Sequence, residues 1–400
     1  MLQLPAPRAK SDLRVLSLFS GAGGMDLGLE AAGFHCSGFV EIDETARRTI
    51  QMNRDWAPIG SGDVIELADT LTPAAVGLAT GELDLMAGGP PCQPFSAAAQ
   101  WAASGRAGML DPRAATVTST LALIERFLPR AVLMENVLGF VEGKGAALSY
   151  LQDELSSIAR RHGVKYDLHW RLVNAADYGV PQNRRRVIIV ALRDGGDFSW
   201  PEATFKDSPR TSWDALHDAP REDVPVSQGK WTPLLASIPE GHNYQWLTSR
   251  GGGPELFGYR TKYWNFLLKL SRSLPSWTLA ASPGPSTGPF HWENRPLSSR
   301  EQLRLQSFDD SWKLAGDYRA RTKQAGNATP PLLAQVMGQA IRETLTGCAA
   351  PGTPRLLRAA PPRHALPVMP LPPEFLNGVG PKSAHAGHGR GPGSLTRLTT

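Results

Sequence analysis

The chain has 400 residues, 41% of them hydrophobic and 20% charged, which exceeds one typical domain and can fill a sizeable core. It contains no run of about 18 apolar residues, and its N-terminus lacks the apolar centre of a signal peptide. Three cysteines, Cys36, Cys92 and Cys348, form no CxxC pair and are too scattered for a disulfide framework. These features argue against a membrane or disulfide-stapled protein and predict a soluble chain in a reducing cytoplasm.

The net charge of +5 is concentrated at the C-terminus. Residues 351–400 contain six Lys or Arg and one Glu, which leaves 36 basic and 36 acidic side chains in residues 1–350. The overall charge therefore gives no indication of function. Any surface that binds nucleic acid has to be a local basic face.

A regular alternation of strands and helices is predicted up to about residue 195. Residues 14–19 (RVLSLF) form a short apolar strand that ends in a glycine-rich turn, SGAGGMDLG, and the helix that follows closes at Gly33. Further strands are predicted at 37–42, near 60–65, and at 83–87, 131–134, 166–173 and 186–192, with helices at about 114–127 and 146–161. This order predicts an α/β domain over residues 12–195 with a mostly parallel sheet.

The composition changes after residue 195, where Gly, Pro and Trp become frequent. We predict a second, loop-rich module over residues 196–310, which includes a helix at 299–307. A returning segment at 326–348 contains an amphipathic helix, 332–345, that is expected to pack back on the first domain. Ten prolines in residues 350–400 argue against a packed core, so this basic tail is predicted to be disordered.

The glycine-rich turn suits a nucleotide-like ligand, because glycines let the backbone approach it and the next helix offers free N–H groups. An ordinary tight turn has the same composition. Glu41 follows the second strand and could accept hydrogen bonds from a ribose diol, which fits NAD equally well. Asp63 could bond an adenine amino group or could cap a helix.

Cys92 stands in GGPPCQPFS, where two glycines and two prolines restrict the backbone directly before a lone thiol. A cysteine held in this way can act as a nucleophile. The alternative is an inert buried cysteine. A structural cysteine needs no such frame, so the motif favours chemistry.

Two further segments supply acidic and cationic groups. MENV places Glu135 and Asn136 just past a predicted strand, at the same sheet edge as the cysteine, where a carboxyl can serve acid chemistry. QNRRR places Arg184 and Arg186 on one side of an extended chain and Arg185 on the other. The pair could hold a phosphate or a carbonyl oxygen, or could be a solvated charge run.

Together these motifs resemble those of DNA cytosine-5 methyltransferases. FSGAGGMDLG, GGPPCQPFS, ENV, QNRRR and GNATPP occur in the order, and at about the spacings, seen in that family, over about residues 14–345. The resemblance implies a Rossmann-like methyltransferase sheet with helices on both faces and a smaller, irregular target-recognition domain. The implied activity is transfer of a methyl group from S-adenosylmethionine to C5 of a cytosine flipped out of a specific duplex DNA sequence.

The resemblance also assigns cofactor contacts. It implies that S-adenosylmethionine is bound by Phe19, Gly21, Gly23, Gly24, Glu41, Asp63, Pro91 and Asn327. Within this set Glu41 would hold the ribose and Asp63 the adenine. No metal is implied.

On the base side, Cys92 matches the nucleophile that attacks C6, and Glu135 matches the residue that faces N3. Arg186 would contact O2 of the base, and Arg184 a phosphate or a loop. Pro90 would offer its carbonyl to the exocyclic amine, and its neighbour Gln93 is a further candidate contact to DNA.

Two regions are less well defined by the resemblance. The alanine-rich stretch after the cysteine departs from the family, and we expect residues 97–113 to close over the site with Gly105 and Gly108 as hinges. Target choice is expected to depend on residues 230–275, where aromatic residues alternate with the basic residues Arg250, Arg260 and Lys262. Of these, Arg260 and Lys262 are the predicted DNA contacts.

Three other functions have to be separated from this one. An NAD- or flavin-dependent oxidoreductase would use the same turn but leaves PPCQ, ENV and QNRRR unexplained. A relative that methylates RNA would keep the chemistry, although residues 196–295 are long enough for a DNA-reading domain. A non-enzymatic DNA-binding regulator is at odds with the filled catalytic positions.

The resemblance further implies double-stranded DNA as the partner, a monomer, and no membrane contact. It also implies the modification half of a restriction-modification system, with an endonuclease that acts separately on the same site.

Overall fold

A mixed β-sheet forms the centre of the larger domain. The computed structural model describes residues 12–91, 114–143, 146–220, 222, 225–226, 229–259, 263–350, 352–354, 356–361 and 363–376. The strands of the sheet are β1 (Leu13–Leu18), β2 (Phe34–Val40), β3 (Leu85–Gly88), β4 (Ala131–Asn136), β5 (Tyr166–Asn174) and β7 (Arg185–Arg193). Their spatial order is β2-β1-β3-β4-β7-β5.

The strand directions explain where the candidate residues meet. β1 pairs in parallel with β2 and β3, and β3 pairs in parallel with β4. β7 runs antiparallel to both β4 and β5. The inner strands, such as AVLMEN in β4, are buried on both faces, as their apolar sequences predict. Because the parallel strands end at one edge, the residues that follow β1, β3 and β4 are brought together.

Helices cover both faces of this sheet. One face carries α1 (Gly24–Ala31) and α9 (Pro331–Thr346), which pack against each other. The other carries α3 (Val64–Thr70), α4 (Ala115–Phe127) and α5 (Leu148–His162). Two further helices, α2 (Glu44–Gln51) and α8 (Tyr318–Asn327), are not indicated by the sequence pattern. Among the described helices, none is both long and apolar enough to cross a membrane.

The strand predicted near residues 60–65 is wrong. The chain turns there, and α3 begins at Val64. Asp63 caps this helix, because its carboxylate accepts the N–H of Ile65 at 2.9 Å. Val64, Leu67 and Ala68 are buried at the spacing of a helix, and this periodicity outweighs the β-propensity of the Val-Ile pair.

Residues 196–310, here called the loop-rich module, have a core of loops and short elements. Their elements are α6 (Ser212–Leu216), β8 (Ser276–Trp277) and α7 (Ser299–Leu305). Two apolar clusters fill the interior, one around Tyr244 and Phe290 and the other around Trp292. β8 pairs in parallel with β6 (Gln182–Asn183), which lies just before β7 in the chain. The module is therefore joined directly to the sheet edge that carries the arginines.

The prediction of disorder from residue 350 onward is wrong for residues 363–376, here called the strap. Its Leu371 and Phe375 belong to the apolar cluster of Tyr244 in the loop-rich module. Strap and module share hydrogen bonds, from Met369 N to Ala236 O at 2.9 Å and from Ser237 Oγ to Pro370 O at 2.8 Å. The strap ends in the short helix α10 (Pro373–Leu376). A proline-rich chain with no core of its own can thus dock on another core.

Candidate active site

A cavity of about 430 Å³ opens at the carboxyl ends of β1, β3 and β4. Open α/β sheets bind their ligands at this edge. The cavity is lined by many of the predicted site residues, namely Phe19, Gly21, Glu41, Pro90, Pro91, Glu135, Arg184, Arg186 and Asn327. It therefore unites the glycine-rich turn, the loop that leads to the cysteine, and the acid of ENV.

At one end of the cavity, Glu41 holds the glycine-rich turn. Its carboxylate accepts the N–H of Gly21 at 2.7 Å and that of Asp43 at 2.8 Å. Burial raises the pKa of Glu41, although these two hydrogen bonds act in the opposite direction. A carboxylate oxygen can accept more than one hydrogen bond. Glu41 is therefore suited to bind a ribose diol as well.

Phe19 begins the turn with a φ of 56°, in the left-handed region that bulky residues seldom adopt. Such a conformation persists when the surroundings enforce it, and it is common at functional sites. Here the N–H of Ser20 donates to the carbonyl of Val40 at 3.3 Å, and the Gly21 N–H is held by Glu41. The turn is thereby fixed with Phe19 at the cavity wall.

Gly23 and Gly24 do not line the cavity, so their predicted contact with a cofactor stays a prediction. Gly23 has a φ of 78°, and a Cβ there would lie 3.0 Å from the ring of Trp312. On Gly24 a Cβ would lie 2.1 Å from the carbonyl oxygen of Thr329. Gly23 thus lets the turn approach Trp312, and Gly24 lets the start of α1 approach the returning segment, so both glycines have a packing role.

Arg184 fixes that returning segment. Its guanidinium donates to the carbonyl oxygens of Gly326 at 2.9 Å and Asn327 at 3.4 Å. The residue is only 2% exposed, and the predicted alternative of a phosphate contact stays a prediction. The other alternative, a loop contact, agrees with these hydrogen bonds.

Lys323 is a site residue that the motifs do not indicate. Its Nζ lies 2.7 Å from Oδ2 of Asp43, and both residues line the cavity. Hydrogen bonding to Lys323 lowers the pKa of Asp43. The other carboxylate oxygen of Asp43 caps α2. The ion pair thus joins α8 to the start of α2 at the cavity wall. In the sequence, Lys323 is an ordinary lysine four residues before Asn327, with no motif around it.

At the other end of the cavity, close approaches require both glycines of GGPP. A Cβ on Gly88 would lie 2.4 Å from the carbonyl oxygen of Leu18, and one on Gly89 3.0 Å from that of Glu135. The amide of Asn136 donates to the carbonyl of Pro90 at 2.9 Å, which fixes the loop. A carbonyl oxygen has two lone pairs, so the predicted contact of Pro90 with an exocyclic amine stays a prediction.

Glu135 is 8% exposed and lies beside two arginines. Its Oε1 is 3.0 Å from Nε of Arg186 and 3.9 Å from Nε of Arg184. Arg185 is exposed, which confirms the predicted alternation along QNRRR. Within the described residues, Oε1 accepts no hydrogen bond of good geometry. Glu135 also lines the cavity, so a bound ligand can reach its carboxyl group.

Several predicted residues remain untested. Cys92 follows the cavity-lining Pro91 in the chain but lies outside the described residues, as do Gln93, Arg260, Lys262 and the expected closing loop at 97–113 with Gly105 and Gly108. Asp63 is described but does not line the cavity, so its contact with adenine stays a prediction.

The fold and the cavity define an α/β enzyme domain whose cavity is lined by the glycine-rich turn with Glu41 and by an acid with two arginines. The chain belongs to the C-5 cytosine-specific DNA methylase family, whose model matches residues 13–343. Its enzyme activity is therefore DNA cytosine-5 methylation. The family and the methyltransferase fold predicted from the motifs are both confirmed.

Named relatives cover most of the chain. Type II methyltransferase M.SacI of Streptomyces achromogenes is 33% identical over 382 residues, which is 86% of this chain and 96% of that protein. Type II methyltransferase M.PspPI of a Psychrobacter species is 34% identical over 364 residues, covering 84% and 80%. The structure of S. pombe Dnmt2 methyltransferase matches with a TM-score of 0.55 over 84% of this chain and 99% of that chain. At 18% identity this last likeness shows the fold alone.

Proposed function

We propose that the protein transfers a methyl group from S-adenosylmethionine to C5 of a cytosine flipped out of a specific duplex sequence, through a covalent bond between Cys92 and C6. The observation that carries the proposal is the shared cavity. Glu41 and the Gly21 turn lie at one end of it, and Pro91 and Glu135 at the other. Two ligands held in one cavity of about 430 Å³ can exchange a small group directly.

The first end suits S-adenosylmethionine. Glu41 presents its carboxylate to a ribose diol, in a site partly withdrawn from water where such hydrogen bonds are stronger. Lys323 offsets the charge of Asp43, so Glu41 leaves this end with a net negative charge, which suits a positively charged ligand. When bound, S-adenosylmethionine supplies an electrophilic methyl group.

The second end suits the activation of cytosine. C5 of the aromatic ring is a poor nucleophile, so the ring has to be activated first. Addition of the Cys92 thiolate forms an S–C6 bond, and a proton from Glu135 reaches N3, where negative charge would otherwise develop. The result is an enamine whose C5 is nucleophilic. Arg186, whose Nε lies 3.0 Å from the carboxyl of Glu135, is proposed to contact O2 of the same ring.

The later steps regenerate the enzyme. Once C5 carries the methyl group, a base removes the C5 proton, the S–C6 bond breaks to release the thiolate, the C5–C6 double bond forms again and N3 returns its proton to Glu135. Arg184 is a positioning residue in this scheme. By holding the carbonyls of Gly326 and Asn327, it keeps the returning segment against the cavity.

The biological setting follows from the relatives. Proteins named Type II methyltransferases support a role in a restriction-modification system, in which methylation protects a DNA sequence from a separate endonuclease. The loop-rich module is proposed as the target-recognition domain, because the β6–β8 pairing joins it to the edge that carries Arg184 and Arg186.

Bisulfite sequencing of DNA from a host without cytosine methylation tests this function. The wild-type protein should protect one short sequence from conversion. Cys92→Ala should abolish that protection, whereas the matched variant of the exposed cysteine, Cys348→Ala, should retain it. Protection by the Cys92 variant at more than a few per cent of the wild-type level would remove Cys92 from the nucleophile role.

A further inference from the structure

A small polar pocket lies on the surface of the loop-rich module, apart from the catalytic cavity. Gln245, Arg250 and Trp264 form part of its wall. Its volume is about 240 Å³, below the roughly 300–1,000 Å³ of sites that enclose a whole small molecule. The pocket is therefore suited to bind only one edge of a chemical group that belongs to a larger partner.

The pocket is held by a buried amide and by close packing. Asn243 is 5% exposed, and it donates to the carbonyl of Trp264 at 2.8 Å while it accepts the N–H of Gln245 at 3.0 Å. It thereby links two walls of the pocket. Next to them, a Cβ on Gly252 would lie 2.6 Å from the ring of Trp246, so the glycine run wraps closely around that indole. The pocket is consequently a preformed feature of the module.

Arg250 lines this pocket and is exposed. Its guanidinium carbon lies 3.8 Å from the ring centroid of Tyr259, so one face of the guanidinium is covered. In the part of the chain that the structure describes, Arg250 forms no ion pair, whereas Arg272 and Arg295 of the same module bind carboxylates. Stacking fixes the plane of the group and leaves its in-plane N–H donors to a ligand.

Gln245 adds a second recognition group to the same wall. Its backbone N–H and carbonyl are used within the module. Among the described residues, no hydrogen bond reaches its side-chain amide. A half-buried amide with both a donor and an acceptor unused is suited to read a polar edge.

An aromatic surface connects this pocket to the active site. Trp264 is 47% exposed and lies 5.3 Å from Trp277, with the two rings nearly perpendicular. Trp277 is paired with Asn183, and the next residue in the chain is Arg184. If the target cytosine enters the catalytic cavity, we expect the flanking duplex to run past Trp264 toward the pocket.

We propose that Arg250 reads a guanine of the target sequence in the major groove, with Gln245 beside it on a neighbouring polar edge. Guanine presents O6 and N7 side by side, which matches the in-plane donors of a fixed guanidinium. This inference rests on the proposed function, because it concerns the choice of sequence by the same enzyme. It assigns target reading to Arg250, beyond the contacts predicted for Arg260 and Lys262.

The test compares methylation rates of full-length variants on oligonucleotide duplexes. The wild-type consensus is first determined by bisulfite sequencing, and each of its guanines is then replaced in turn. Arg250→Ala should lower kcat/KM on the consensus by about 5- to 150-fold, the range expected of one bidentate base contact. On the duplex that lacks the contacted guanine, the kcat/KM of this variant should equal that of the wild type. Discrimination at that single position should therefore disappear.

Two further variants secure the interpretation. Arg250→Lys keeps the positive charge and the contact with the aromatic ring but loses the two parallel N–H donors of the guanidinium. This variant should therefore lose the same discrimination, while its melting temperature stays at the wild-type value. Lys230→Ala removes a cation stacked on Trp231 elsewhere in the module and should leave every preference unchanged. An equal loss on all duplexes, or unchanged discrimination, would overturn the role of Arg250. Absence of any methylation by the wild type would instead overturn the proposed function.

Discussion

The docked strap at residues 363–376 is predicted to stabilise the loop-rich module, although its proline-rich composition argues against a structural role. Its Phe375 is 7% exposed, and its ring centroid lies 5.9 Å from that of Trp231 in the loop-rich module. We expect Phe375→Ala to destabilise this module. Leu376→Ala is the matched control, since Leu376 is the next residue and is 64% exposed.

The expected magnitude follows from burial. Removing a buried side chain of this size loses about 1.5–3 kcal/mol of transfer free energy. The cavity left behind raises the typical cost of Phe→Ala to about 3–5 kcal/mol. The strap is a peripheral segment that can relax, so we expect the lower end, about 3 kcal/mol. An exposed substitution such as Leu376→Ala should stay within about 0.5 kcal/mol of the wild type.

Urea unfolding followed by tryptophan fluorescence measures the difference, because Trp231 and Trp246 both belong to the cluster that Phe375 joins. The Phe375 variant should unfold at lower urea than the Leu376 variant, with a free energy of unfolding lower by about 3 kcal/mol. Equal unfolding curves for the two variants would refute the conclusion that the strap completes the core of the module.

Three further predictions concern the acid, a buried carboxyl and the basic C-terminus. Glu135→Gln should slow methyl transfer by about 10²-fold or more with unchanged DNA binding, and a near-wild-type single-turnover rate would assign N3 protonation to another group. Burial raises the pKa of Asp26 from 3.8 to about 6, so its contribution to stability is present below about pH 4 and is lost as the pH rises through 6. Asp26→Asn should therefore gain stability relative to the wild type between pH 4 and 7, and parallel curves of unfolding free energy against pH would contradict this. Deletion of residues 377–400 removes three basic residues and no acidic ones. The slope of log affinity for non-target DNA against log salt should therefore fall by up to about 2.7, while turnover is retained. Equal slopes for the two proteins would show that these residues do not touch phosphate.

The sheet and the cavity could be predicted from sequence because their signals are local. Apolar runs such as RVLSLF and RVIIVAL are buried strands, and each motif loop follows a strand directly. Parallel strands then bring these loops to one edge whatever the rest of the chain does. Local pattern was sufficient for Glu41 and Glu135, which both line the cavity.

Local signals fail where two patterns compete. GSGDVI contains a β-branched pair, but Asp63 supplies a cap and the next apolar residues follow helical spacing. The prediction of disorder in the tail is wrong for a similar reason. Its proline content suggests disorder, whereas two apolar residues four positions apart, Leu371 and Phe375, are enough to dock it once a neighbouring core offers space. A cut at residue 350 would remove the strap, and 377 is therefore the appropriate boundary for testing the basic residues.

Long-range partners are the other source of error. Arg184 belongs to a charge run, and nothing near it in the chain shows that it binds carbonyls more than 140 residues away. The same holds for Lys323 and Asp43, which are 280 residues apart. Such contacts depend on the completed fold, so composition and spacing cannot identify them.

A covalent trap tests the central claim of the mechanism most directly. Duplex DNA that carries 5-fluorocytosine at the target position is incubated with the full chain and S-adenosylmethionine, and the denatured product is digested and analysed by mass spectrometry. Because fluorine cannot leave as a proton does, the S–C6 bond should persist, and the modified peptide should carry the methylated base on Cys92. Active enzyme that forms no denaturant-resistant complex on its confirmed target, or a complex attached to another residue, would contradict covalent catalysis by Cys92.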